Sequence, residues 1–153
     1  MSASESGHLD ATDFRIVNAL VQNGRASFAS IGAEVGLSAH GAADRVRRLQ
    51  RAGIITGFTA LVDLGTVGRG LDAVIDVRIL AGTLPETFEL AVRELAAVRE
   101  VAFVTGRFDY QVRVACQDAD DLDRTVRSIR SNGAAQTETR IVLRSVSSEG
   151  TLG

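Results

Sequence analysis

Lysine and tryptophan are absent from this chain, cysteine, proline, tyrosine and methionine occur once each, and histidine occurs twice. Each shortage excludes something. A single Cys116 rules out an intramolecular disulfide. His8 and His40 stand too far apart in sequence for metal-ligand spacing, so neither a metal nor a cofactor is expected. No apolar run is long enough to span a bilayer. The opening MSASESGH lacks the basic and apolar regions of a signal peptide, so the default expectation is a cytoplasmic protein with no membrane partner. Because all 17 basic residues are arginine, which suggests a GC-rich coding bias, no position argues that arginine was chosen there over lysine.

At 153 residues and 45% hydrophobic content, the chain allows one large or two small domains with ample cores. The formal charge is −2, and its distribution says more than its sum. Residues 1–57 carry six Arg against five acids, or +1; residues 58–153 carry eleven Arg against fourteen acids, or −3.

The basic part centres on Arg25 to Ile55, where two short helical patterns flank a tight turn. Ser27 is a fit N-cap for a helix through Ile31 and Val35, and Gly36 supplies a left-handed stop. Ser38 then caps a second helix in which Ala42, Val46, Leu49 and Gly53 recur on one stripe facing a core. His40, Asp44, Arg47, Arg48 and Arg51 project from the opposite side, with Arg45 at the boundary. A mostly cationic face on the second helix of a helix-turn-helix suits double-stranded DNA. Asp44 is placed to neutralise Arg47 or Arg48, leaving Arg45, Arg51 and one other arginine for phosphate. The plainer alternative is a helix pair in an all-α core with a solvated arginine face.

The remainder reads in order. Residues 1–8 are small and polar, and a disordered tail is expected. Asp10 caps a first helix, Asp13 favours its first turn, and Ile16, Val17, Leu20 and Val21 form its buried stripe before Gly24. The resulting helix-turn-helix domain covers 9–57. Residues 58–70, with Phe58 and Leu61 interleaved with Thr and Gly, form a linker strand or hinge. From Leu71 the run LDAVIDVRI alternates as a half-buried strand. Thr83 and Glu86 form a capping box around Pro85, opening a helix striped by Phe88, Val92 and Leu95. Strands at 101–105 and 110–117 flank a turn, placing Val112, Val114 and Cys116 on one face. The acidic run from Asp118 starts a helix carrying Leu122, Val126 and Ile129, broken at Asn132 and Gly133, and a last strand spans 136–146. The fold class is therefore α+β: a three-helix helix-turn-helix domain, then a ferredoxin-like βαββαβ domain at 71–148. Val74, Ala102, Val104 and Val142 make the second sheet face look too apolar to be left wet, so a homo-oligomer, at least a dimer, is expected.

The order of parts resembles the Lrp/AsnC family of transcription regulators, the feast/famine proteins, over about residues 9–146. The resemblance rests on Leu9, Asp10 and Asp13; Gly24 and Arg25; VGLS from Val35 to Ser38; Arg45, Val46, Arg48, Leu49, Gly53 and Ile55; Gly68; TGRFDY from Thr105 to Tyr110; and TETRIVL from Thr137 to Leu143. It implies a winged or hinged helix-turn-helix, a ligand-sensing sheet domain, dimers assembling into tetramers or octamers, and amino-acid or related effectors. By the same resemblance, the effector cleft lies between dimers, with Thr105, Gly106, Arg107, Phe108, Asp109 and Tyr110 on one side and Gln136, Thr137 and Thr139 opposite. An acid suits the effector's ammonium, and Asp109 is that acid; Gly106 and the threonines offer donors to its carboxylate. Departures are Arg107, where the family often has an acid or amide, and Gly41 and Gly32, which loosen their helices. The bland account of the turn is a hairpin in which Asp109 bonds only its own backbone and Tyr110 packs in an oligomer interface. Two rival functions share this architecture or part of it. One is a sirohaem-decarboxylase-like enzyme, which the absence of histidine in the sheet domain disfavours; the other is an effector-binding or scaffolding module without DNA. No catalytic spacing is recognisable, so an enzyme is not expected.

Overall fold

The computed structural model describes residues 9–146. The expected tail at 1–8, and residues 147 and 148 of the expected sheet domain, lie outside the described residues. The chain divides into two compact units, with the boundary between Leu61 and Val62, inside the expected linker.

The first unit holds α1 (Ala11–Gln22), α2 (Phe28–Val35) and α3 (Ala39–Arg51). Each start is fixed by a short polar side chain that satisfies an orphan backbone donor: Asp10 accepts from Asp13 N, Ser27 from Ser30 N, and Ser38 from Gly41 N. Gly36, at φ +80°, closes α2 in the left-handed conformation. The core is Ile16, Val17, Ile31, Val35, Ala42, Val46 and Leu49, the facing stripes of all three helices. Three expectations change. Val21 faces solvent rather than the core. α1 is capped by Asn23, one residue before Gly24. Gly53 lies outside α3, exposed and at φ +72°, because the helix is capped at Ala52 and its stripe ends at Leu49.

No strand forms between Ile54 and Gly70. Ile54 and Ile55 instead pack against the helical core, while Phe58 and Leu61 stay exposed, so the apolar spacing there reflects core contact and not sheet pairing. Among the described residues of this unit there is no strand, so the winged form is not seen there.

The second unit follows the order β1 (Leu71–Ile79), α4 (Pro85–Arg93), β2 (Val98–Phe103), β3 (Tyr110–Cys116), α5 (Ala119–Ser131) and β4 (Ala134–Ile141). The strands form one antiparallel sheet in the order β2-β3-β1-β4, the split βαβ arrangement. Ala73, Ile75, Val77, Tyr110, Val112, Val114 and Cys116 face Phe88 and Val92 of α4 and Leu122 and Ile129 of α5. Burial pushes the Cys116 thiol up, in keeping with a core role. The expected capping box at Thr83 is absent: Leu84 is the N-cap without a side-chain bond, and Pro85 alone sets the entry to α4. β2 begins earlier than expected, at Val98, and β4 covers 134–141 rather than 136–146.

The open sheet face is charge-paired, which overturns the expectation of an apolar one. Val74, Ala102, Val104 and Val142 are each half-buried. The cross-strand neighbours of Val74, however, are Arg113 and Arg140. Arg113 pairs with Asp72 at 2.7 Å, and Arg140 with Asp76, which also accepts from Gln111 at 3.3 Å. Register brought together charges that lie far apart in sequence, so the valines alone misrepresented this face.

Gly32 also departs from expectation. It does not loosen α2; it is buried, and a Cβ there would stand 2.6 Å from the Leu37 carbonyl oxygen and 3.0 Å from that of Ser38. The turn folds back onto the helix at this point and needs the missing side chain. At Gly41 the nearest atoms to a Cβ are Ser38 Oγ at 3.4 Å and Leu37 Cβ at 3.8 Å, which is ordinary contact. Gly32→Ala should therefore destabilise the helical unit by about 1–3 kcal/mol. Gly41→Ala should stabilise it by up to about 1 kcal/mol, through helix propensity alone. Urea unfolding followed by circular dichroism separates the two, and equal signs would refute the close-approach account.

Candidate functional site

On α3 the four arginines do not share one environment. Arg45 Nη1 donates to Asp10 Oδ2 and, at 3.0 Å, to Asp13 Oδ1. Arg48 Nη2 grips both oxygens of Asp13, at 2.7 and 2.6 Å. Arg47 donates to Asp44 at 2.8 Å, and Asp44 also meets His40 Nε2 at 3.2 Å. Arg51 alone among these arginines has no ion pair within the described residues. The expectation that Arg45, Arg51 and one more would stand unneutralised is thus corrected. Asp10, the N-cap of α1, takes Arg45, Asp13 within α1 takes Arg45 and Arg48, and Asp44 takes Arg47.

The capping box of α1 is what places those aspartates. Asp10 Oδ1 accepts from Asp13 N at 2.7 Å, and Asp13 Oδ2 accepts from Asp10 N at 3.2 Å, so both carboxylates are pinned at the positive end of the helix dipole. Asp13 is 1% exposed; a charge that deep needs its two guanidinium partners. The Arg45 guanidinium holds the Asp10 carboxyl below the usual range, and Asp10 in turn raises Arg45. Asp44, Arg45, Arg47, Arg48 and Arg51 line a concavity of about 400 Å³ on the outer side of α3. Ser38 and His40 lie exposed at its N-terminal end.

In the sheet unit the turn after β2 closes against the end of β1. Gly106 takes φ +120°, a conformation that favours glycine. Asp109 donates its N–H to the Val77 carbonyl at 2.9 Å, its carbonyl accepts from Val104 N at 2.9 Å, and its Oδ2 accepts from Ile79 N at 2.9 Å. The carboxylate therefore bonds the neighbouring strand, at a register shift between Arg78 and Ile79, and not its own backbone. Arg78 donates to the Arg107 carbonyl oxygen, while the Arg107 guanidinium lies exposed, 5.2 Å from the Phe108 ring centroid.

Val77 pairs with Tyr110 on one side and Thr137 on the other, and Arg78 pairs with Gln136. Sheet register thus brings the turn and the start of β4 to one end of the unit. Thr139 sits further along, opposite Ile75. Thr137 Oγ1 accepts from Arg130 Nε at 2.9 Å. Tyr110 departs most from the expected site: it is fully buried, its ring lies 4.9 Å from Phe88 and 5.2 Å from Phe103, and its hydroxyl donates to Glu89 at 2.7 Å. It anchors the turn from within the core. A groove of about 500 Å³ between α4 and β2, lined in part by Glu86, Glu89, Leu90, Arg93 and Arg99, includes none of the expected effector residues.

Sequence reasoning missed Asp13 as the partner of Arg45 and Arg48, Glu89 as the partner of Tyr110, and Arg78 as a brace for the turn. None had a local signal beyond charge. Each partner comes from another element, and periodicity within one element is silent about that.

A helix-turn-helix unit whose second helix exposes arginine, followed by a βαββαβ unit, defines a two-unit DNA-binding regulator. Comparison with known proteins agrees on both units: the AsnC-type helix-turn-helix domain matches residues 9–50, and the Lrp/AsnC ligand binding domain matches residues 72–152. The chain is 34% identical over 136 residues to the HTH-type transcriptional regulator Rv2324 of Mycobacterium tuberculosis, covering 88% of this chain and 92% of that one. It is 32% identical over 143 residues to the leucine-responsive regulatory protein of Escherichia coli, covering 90% and 87%. A crystal structure of the Neisseria meningitidis transcriptional regulator NMB0573 with L-Met superposes with a TM-score of 0.87 at 28% identity, covering 95% and 96%. The chain belongs to the Lrp/AsnC family of transcriptional regulators.

With one tyrosine and no tryptophan in the chain, phenolate absorbance reads Tyr110 alone. Burial, and then the bond to Glu89, push its pKa up to about 12. The folded pKa lies above that of the unfolded chain, about 10. The stabilisation is therefore complete below about pH 10 and is lost as pH rises toward about 12. The folded protein should ionise near the upper value, the urea-unfolded protein near the lower, and a folded midpoint near 10 would contradict the buried hydroxyl.

Proposed function

We propose that this protein docks α3 in the DNA major groove as a dimer or larger homo-oligomer, and that an amino acid held at the TGRFDY end of the sheet unit modulates that binding. The observation that carries the DNA reading is the position of α3. Its buried stripe, Ala42, Ala43, Val46 and Leu49, faces the core, while the N-cap Ser38, His40 and Asp44 lie exposed on the other side, and the helix ends on Arg51, which has no ion pair among the described residues. In this reading Arg51 and Arg47 meet phosphate, and His40 and Ser38 lie where base edges are met. Arg45 and Arg48 hold the orientation of the helix through their bonds to Asp13. Two copies read a symmetric site, with recognition helices about 34–36 Å apart or a multiple of that.

The effector reading is supported by the L-Met named for the Neisseria regulator, and for a feast or famine regulatory protein of M. tuberculosis with a TM-score of 0.86 at 27% identity, covering 92% of this chain and 95% of that one. Asp109 keeps one carboxylate oxygen beyond its bond to Ile79, which suits an α-ammonium group. Thr105 and Gly106 are exposed beside it, and Gln136, Thr137 and Thr139 border the same end or edge of the sheet. Arg107 is available to an effector carboxylate, and Phe108 to its apolar side chain.

Arg51→Ala should lower the slope of log affinity against log salt by about one for any duplex, whereas His40→Ala should change sequence preference more than overall affinity. An unchanged slope in Arg51→Ala would take α3 off the backbone. For the effector, Asp109→Asn keeps an acceptor for Ile79 and removes the charge, so calorimetric affinity for L-methionine should fall by roughly tenfold to a hundredfold. Equal affinity in the two proteins would remove the turn from the site. Light scattering at micromolar concentration should give at least a dimer; a monomer would overturn the assembly reading.

A further inference from the structure

Asp10 and Asp13 open α1 and at the same time hold half of the arginines on α3. Of the four, Arg45 and Arg48 are bound to these carboxylates and Arg47 to Asp44. The recognition helix therefore presents little net positive charge. Sequence-independent affinity depends on the cations that reach phosphate, and competition from unselected DNA decides how useful an operator affinity is. A regulator with four free arginines on this helix would be held by any duplex.

The geometry separates the two aspartates. Asp13 is buried and grips both guanidinium groups, so it fixes the docking of α3 on α1. Asp10 is different: its side chain is 49% exposed, and that of Arg45 is 30% exposed. Its Oδ1 does the capping, through Asp13 N at 2.7 Å, while its Oδ2 faces Arg45. One oxygen serves the helix and the other serves the arginine. The second task is not required for the fold, because a neutral cap such as asparagine or serine performs the first. Phosphate and Asp10 Oδ2 offer Arg45 the same chemistry, an anionic oxygen at the edge of the DNA-facing concavity.

We propose that Asp10 occupies Arg45 in place of a DNA phosphate, and so sets how weakly this helix binds DNA of unselected sequence. Asp10 is then a specificity-determining residue that never touches a base. The inference rests on the reading of α3 as the DNA-binding helix.

The test is a double-mutant series on the full chain with a short mixed-sequence duplex lacking any symmetric site, titrated across salt. In the wild-type background Arg45→Gln, which removes the charge but keeps a donor for the buried Asp13, should leave the salt slope unchanged, because Arg45 is already engaged. Asp10→Asn should steepen the slope by up to about one and tighten binding by up to about tenfold at low salt. Asp10→Asn combined with Arg45→Gln should return both to wild-type values. Asp10→Ser, a second uncharged cap, should repeat the effect and so separates it from any fault peculiar to asparagine. A purely structural role for Asp10 would weaken binding without steepening the slope. The proposal is overturned if Arg45→Gln alone lowers the slope, or if neither Asp10 variant steepens it while Arg51→Ala still lowers it. Should Arg51→Ala also leave the slope unchanged, the DNA reading of α3 fails and this inference with it.

Discussion

The helical unit depends on one buried carboxylate. Asp13 is buried, and an unpaired charge there would cost several kcal/mol. Its two guanidinium partners are three residues apart on α3, so satisfying it fixes both the rotation of α3 about its own axis and its height along α1. The hydrophobic stripe of Ala42, Val46 and Leu49 would accept small rotations at little cost, since apolar contact is non-directional. Charge-assisted hydrogen bonds of fixed length are not so tolerant. With Gly32 allowing the turn to fold tightly onto α2, this leaves the outer face of α3 with one orientation.

The same division of labour holds in the sheet unit. Phe88, Val77 and their neighbours supply the area, while a few polar bonds decide where the turn sits. Tyr110 begins β3 with its ring in the core and its hydroxyl tied to Glu89, so the chain just before it has no freedom to slide. Asp109 then closes onto β1 from the opposite direction. The turn from Thr105 to Asp109 is held at both ends and exposed in the middle, a suitable support for recognising a small charged molecule. The charge-paired open face also bears on assembly: contacts made there would be polar, with Asp72, Arg113, Asp76 and Arg140 already matched within the chain.

By itself the sequence determined the elements and their order. Helices α1, α2, α3 and α5 were legible because capping at Asp10, Ser27, Ser38 and Asp118, and apolar repeats such as Leu122 and Ile129, are properties of neighbouring residues. Strand β1 was legible from its period of two, and the βαββαβ topology followed from the succession of patterns. The stretch after Gly53 reads as a strand or an extended hinge, and the choice is not local, because an isolated apolar spacing does not say whether it meets a strand or a helical core. What the tertiary structure alone decided was partnership: Arg45 and Arg48 with α1, Tyr110 with Glu89, Asp109 with Ile79, and Val74 between two arginines. Periodicity assigns a residue to a face, but the sign and distance of the charge opposite depend on chain segments about 20 to 65 residues away. Electrostatic pairing at 3 Å is set by docking, and docking is not written in any local window of sequence.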